Sequence, residues 1–87
     1  MTQLDKLVEK FLKEPPEVSF AEVTTVLEAF GYEERHSGGG SHRAFVKVGY
    51  PPVVVPTIKG RRVKRVYVQM IIENLHLEEW YESRHRA

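Results

Sequence analysis

Between Ser19 and Gly31 the chain carries a full set of start and stop signals for one helix. Ser19 and Glu22 have capping-box spacing, in which each side chain satisfies the other residue's free amide. Val18 and Val23 stand where a hydrophobic staple closes around such a cap. Phe20, Val23, Val26, Leu27 and Phe30 recur at helical spacing and form one apolar stripe. Gly31 occupies the left-handed position that ends many helices. A stripe this wide must be covered, and a chain of 87 residues has only its flanking segments to cover it.

Those flanks read as follows. Leu4, Leu7, Val8, Phe11 and Leu12 predict an amphipathic helix within residues 1–14, ended by Pro15 and Pro16, because proline lacks the amide donor and restricts the residue before it. After Gly31 the period shortens. Residues 32–37 and 41–48 predict a hairpin around Gly38, Gly39 and Gly40. Pro51 and Pro52 are expected to interrupt the chain, and Val53, Val54 and Val55 to form a third strand. Val63, Val66, Tyr67, Met70, Ile71 and Leu75 predict a second strongly amphipathic helix. Leu77 to Arg84 predicts a short acidic helix docked through Leu77, Trp80 and Tyr81. The fold class expected is α+β, a small three-stranded antiparallel sheet with helices packed on one face. One domain over residues 1–87 is expected, with a core at 19–75, an added N-terminal helix at 1–14 and an acidic, aromatic tail at 76–87.

Charge is distributed unevenly. From Arg35 to Ile72 there is no Asp or Glu, while Arg35, Arg43, Lys47, Lys59, Arg61, Arg62, Lys64 and Arg65 give that segment a charge of +8. The whole chain is only +1, so the two ends together carry −7. A concentrated positive field attracts polyanions, and nucleic acid is the commonest of these. Lys59, Gly60, Arg61 and Arg62 form a basic loop. Cations at a helix start oppose the helix dipole, and a bound phosphate removes that conflict. There is no cysteine, hence no disulfide or thiolate chemistry. The polar stretch from Met1 to Lys6 is not a secretory leader, and the longest apolar run, bounded by Pro51 and Pro56, is too short to cross a membrane. A cytoplasmic protein with no membrane partner is expected.

His42 is the side chain best suited to proton transfer near neutral pH. Alternation along its strand groups His42, Ala44, Val46 and Val48 on one face and Ser41, Arg43, Phe45 and Lys47 on the other. Taken alone, the strand favours a histidine half-buried beside Ala44 and Val46. The histidines lack the cysteine and acidic partners of a metal set, so neither metal nor cofactor is expected.

The motif Gly40-Ser41-His42-Arg43-Ala44-Phe45 follows a helix that ends in Phe30-Gly31-Tyr32. A valine-rich strand into Pro56, a basic loop with Gly60 and a closing helix come after it. Over about Ser19 to Leu75 this pattern resembles the HicA family of toxin-antitoxin ribonucleases. The resemblance implies a double-stranded-RNA-binding-domain-like fold, metal-independent mRNA cleavage with His42 as the catalytic histidine, and a HicB-type antitoxin partner. Where many members carry a second histidine after the matching proline, this chain has Thr57, Ile58 and Lys59. Ser41, Arg43, Lys47, Lys59, Arg61, Arg62 and Lys64 are the expected RNA-binding residues. Two other readings stand beside the nuclease. One is a non-catalytic RNA-binding module. The other is a protein-interaction module in which Glu78, Glu79 and Glu82 meet the basic face of a second copy in a homodimer.

Overall fold

A computed structural model of the protein describes residues 2–35 and 42–86. The order of elements is α1 (Gln3–Leu12), β1 (Glu17–Ser19), α2 (Phe20–Ala29), β2 (Glu33–Arg35), β3 (His42–Lys47), β4 (Tyr50–Pro56), β5 (Arg62–Lys64), α3 (Arg65–Leu75) and α4 (Leu77–His85). Among the described residues the architecture is α+β: four helices, a three-stranded antiparallel sheet ordered β2-β3-β4, and a separate two-stranded ladder of β1 with β5.

The α2 signals work as the sequence implies. Ser19 Oγ accepts the Glu22 amide at 3.1 Å, and Glu22 Oε1 accepts the Ser19 amide at 2.9 Å. Burial pushes the Glu22 carboxyl up, but hydrogen bonds from Lys10 and Ser19 outweigh this and leave it below its usual value. Gly31 has φ +92°, a conformation that favours glycine, and a Cβ there would lie 3.3 Å from the flexible end of the Lys47 side chain.

Phe45, Val53 and Val55 are fully or almost fully buried, and α2 and α3 pack against this face of the sheet. The same cluster includes Val8 and Phe11 of α1, Val23, Val26 and Leu27 of α2, Val68 and Ile71 of α3, and Leu77 of α4.

Three expectations need correction. Pro51 and Pro52 do not interrupt the chain, because β4 begins at Tyr50. The ladder pairs Phe45 with Val53 and Lys47 with Tyr50, so both prolines stand opposite Val46 in a bulge on an edge strand, where a missing amide is tolerated. Val63 does not open the last helix. It pairs with Val18 in the β1–β5 ladder, fully buried, and the helix starts two residues later. The apolar residue three positions on, Val66, imitates a helical stripe from Val63 but is 57 % exposed. The buried stripe of α3 is Val68, Ile71 and Leu75.

The two added segments dock on each other. Asp5 is buried at the α1–α4 junction and accepts hydrogen bonds from Arg84 Nε at 2.8 Å and Arg84 Nη2 at 3.3 Å. His85 Nε2 lies 3.3 Å from the same carboxylate. Arg84, then Thr2, hold the Asp5 carboxyl far below the usual carboxylate range. Tyr81 donates its hydroxyl to Glu9 at 2.6 Å, and this bond raises its pKa. Leu77 is fully buried, while Trp80 and Tyr81 pack against the core as the spacing implies. His76, in the left-handed conformation at φ 53°, turns the chain from α3 into α4. Among the described residues no helix is long and apolar enough to cross a membrane.

Candidate functional site

Burial of Phe45 decides which way every β3 side chain faces. Arg43 and Lys47 share its side, toward the helices, so His42, Ala44 and Val46 lie on the side no helix covers. Antiparallel partners share a face. Pro56 stands opposite His42, Val54 and Arg35 opposite Ala44, and Glu33 opposite Val46. Val54 is 44 % exposed, which marks this face as open. His42 is itself exposed rather than half-buried, while Ala44 and Val46 on the same face are partly buried.

The expected cations divide into two groups. Arg43 is ion-paired with Glu34, and its guanidinium lies 4.6 Å from the centre of the Phe20 ring. Their side chains are 28 % and 17 % exposed, so this pair forms the rim of the core on the side away from His42. Arg62 is bonded to Glu17 at 3.1 Å. Lys47 sits at the far end of β3, with Nζ 4.5 Å from the Tyr50 ring and 5.7 Å from the Tyr32 ring. At about 3.3 Å per residue that is roughly 17 Å from His42.

Lys59, Arg61 and Lys64 are exposed and take part in no ion pair among the described residues. They belong to the turn and short strand that follow Pro56. Lys59 and Gly60 both have positive φ, 52° and 70°, and a bridge from Ile58 to Arg62 closes the turn. The Arg61 carbonyl accepts the Phe20 amide at 2.7 Å, which ties the turn to the start of α2. Lys64 caps α3 through its backbone alone, and no acidic residue lies in the first helical turn. Among the described residues Lys64 has no ion pair, and the nearest acid along the sheet is its ladder partner Glu17, which bonds Arg62.

Arg35 joins this second group, although only its charge, and not its place in the site, was legible in the sequence. It is exposed, it has no ion pair among the described residues, and it shares the open face with His42 one diagonal step away. Diagonal neighbours on antiparallel strands are about 7–8 Å apart, within reach of an arginine. Ser41 and the glycine triplet lie outside the described residues.

Among the described residues, two concavities adjoin the cations. The larger, about 670 Å³, is an open groove lined by Pro16, Glu17, Arg62, Lys64, Arg65 and Val66. Its arginines are engaged, Arg62 by Glu17 and Arg65 by the Glu14 carbonyl at 2.8 Å. The smaller, about 150 Å³, is lined by Pro56, Thr57, Ile58, Lys64 and Tyr67. Pro56 is thus shared between the ladder partner of His42 and a wall of the smaller cavity.

No family model, no curated protein and no solved structure matches this chain. Function must therefore be argued from the site. Among the described residues it holds an exposed imidazole, able to transfer protons, and four cations without an ion pair, Arg35, Lys59, Arg61 and Lys64, of a kind that binds phosphates. Among the described residues no group of three or more His, Asp or Glu side chains is arranged to hold a metal ion.

Proposed function

We propose that the chain is a metal-independent endoribonuclease of the HicA type. Its core would be a double-stranded-RNA-binding-domain-like unit made of α2, β2 to β4 and α3, its substrate mRNA, and its neutraliser a HicB-type antitoxin. The observation that carries this reading is the exposure of His42 on the uncovered face of the sheet, next to Arg35 and to the turn bearing Lys59, Arg61 and Lys64. Lys59 follows Pro56 by three residues, so its Cα lies within about 11 Å of the His42 ladder partner.

In such a reaction the 2′-oxygen of one ribose attacks the adjoining phosphorus and the bond to the 5′-oxygen breaks. The products are a 2′,3′-cyclic phosphate and a 5′-hydroxyl. His42 takes the 2′-hydroxyl proton or delivers one to the leaving oxygen, a contribution of about 10²–10⁴-fold in rate. The test is incubation with a long mRNA in EDTA. The wild type should cleave it and His42→Ala should not, with RNA affinity within a few-fold. Undiminished cleavage by His42→Ala would remove the histidine from the mechanism.

A non-catalytic RNA-binding module is the second reading. It is favoured by the segment after Pro56, where Thr57 is buried and Ile58 is engaged in the bridge to Arg62, with no second imidazole in that stretch. Salt-sensitive RNA binding without cleavage at any pH would select it.

A further inference from the structure

We infer that the small cavity between Pro56, Thr57, Ile58, Lys64 and Tyr67 is a phosphate subsite, in which the Lys64 ammonium and the Tyr67 hydroxyl hold a backbone phosphate of RNA beside the bond that His42 serves. The RNA half of this statement rests on the ribonuclease reading. The anion site itself does not.

Size comes first. At about 150 Å³ the cavity is well below the roughly 300–1,000 Å³ of sites that take drug-sized ligands. It equals the liquid volume of roughly five water molecules, which suits a phosphate group and its oxygens. Position comes second. Pro56 forms one wall and is the ladder partner of His42, so the cavity lies at the strand end that carries the imidazole.

Chemistry decides between this cavity and the larger groove, which also touches Lys64. In the groove, Arg62 already serves Glu17, a carboxylate that repels a second anion, and Arg65 serves a backbone carbonyl. The small cavity has no carboxylate in its wall. Lys64 has no ion pair among the described residues, and Tyr67, on the first turn of α3, is half-buried with its ring against the core. Burial of the ring fixes the hydroxyl, and a fixed donor beside a mobile ammonium is the pairing a phosphate oxygen accepts. In the sequence Tyr67 looks like one more apolar residue of a helical stripe. Only the placement of α3 beside the end of β4 turns it into a ligand.

The experiment is an NMR titration of the full chain with inorganic phosphate at constant ionic strength, with chloride as the matched control. The amides of Thr57, Ile58, Lys64 and Tyr67 should shift with phosphate and not with chloride. Lys64→Gln should weaken phosphate roughly tenfold and Tyr67→Phe roughly threefold, since bonds to a charged group exceed neutral ones. Tyr67→Phe keeps the packed ring, so its fold is retained. With RNA as substrate, both variants should raise KM while kcat stays within about threefold, the signature of a contact made equally before and during reaction.

Phosphate shifts centred on Arg62 and Arg65, or equal shifts with chloride, would overturn the inference. So would unchanged phosphate affinity in both variants. If phosphate binds the cavity as described but the wild type leaves RNA intact, the anion site stands and the ribonuclease reading falls.

Discussion

If the chain binds RNA as proposed, the salt dependence of that binding would count the cations that serve the site. Each phosphate neutralised on a single strand contributes a slope of about −0.7 to log K against log salt. If Arg35, Lys59, Arg61 and Lys64 make the contacts, the slope is about −2.8, and affinity falls about 50-fold between 50 and 200 mM salt. If all eight cations of the acid-free segment contributed, the slope would be about −5.6 and the loss about 2,000-fold. The two outcomes are easily separated by fluorescence anisotropy with a labelled single-stranded RNA, using His42→Ala so that the probe survives. Arg61→Gln should flatten the slope by about 0.7, one contact's worth. The double variant Arg43→Gln with Glu34→Gln removes a paired charge of each sign from the rim of the core and should leave the slope unchanged. A slope steeper than about −4.5, or equal flattening by the Arg43 and Arg61 changes, would refute the division of the cations into paired and available groups.

Phe45→Ala removes a fully buried ring that packs against Phe20 at 5.9 Å, and should cost about 3–5 kcal/mol by urea denaturation. Ser19→Ala deletes the α2 cap and should cost about 1 kcal/mol in the same assay. The Asp5 carboxyl is held down in the folded state, so its contribution is full above its ordinary value of 3.8 and fades as pH falls below that. The melting-temperature advantage of wild type over Asp5→Asn should therefore be largest above about pH 4 and shrink toward pH 2, and a gap independent of pH would show that the Arg84 contact is not what stabilises Asp5.

What could be read from the sequence was what the chain settles locally. The α2 cap involves residues three apart, and its hydrogen bonds form as their spacing implies. The helical character of residues 77–84 and the docking of Leu77 follow from periodicity in the same way. What stayed hidden depends on distant partners. Val63 looks helical until Val18 is known to lie beside it, and Asp5 looks like an ordinary first-turn acid until Arg84, 79 positions away, reaches it. Pro51 and Pro52 look like breakers until β4 proves to be an edge strand with a bulge. The face of His42 could not be chosen because Ala44 and Val46 on one side and Phe45 on the other are all apolar. Only the helices' choice of the Phe45 side exposes the imidazole.

Folding also changes what the acid-free segment means. Its eight cations are uninterrupted along the chain, yet Glu17 and Glu34, both outside it, reach in and pair with Arg62 and Arg43. Among the described residues Arg35, Lys59, Arg61 and Lys64 keep no ion pair near the end of β2 and the turn and strand that precede α3, while Lys47, also without one, lies at the far end of β3. Of the acids left over, Glu33 lies on the open face opposite Val46, Glu14 lies against α3, and three others lie on α4. Glu78, Glu79 and Glu82 are exposed on α4, which follows the C-terminal end of α3, whereas Lys59, Arg61 and Lys64 precede its N-terminal end. Eleven residues of helix separate the two groups along the chain, and Glu78 and Glu82 line a cavity with Glu14, whose carbonyl accepts a hydrogen bond from Arg65. A net charge of +1 is then a poor guide to the field an approaching polyanion meets. If the ribonuclease reading holds, an RNA strand would be drawn toward the cations that precede α3, beside the strand end where His42 is exposed.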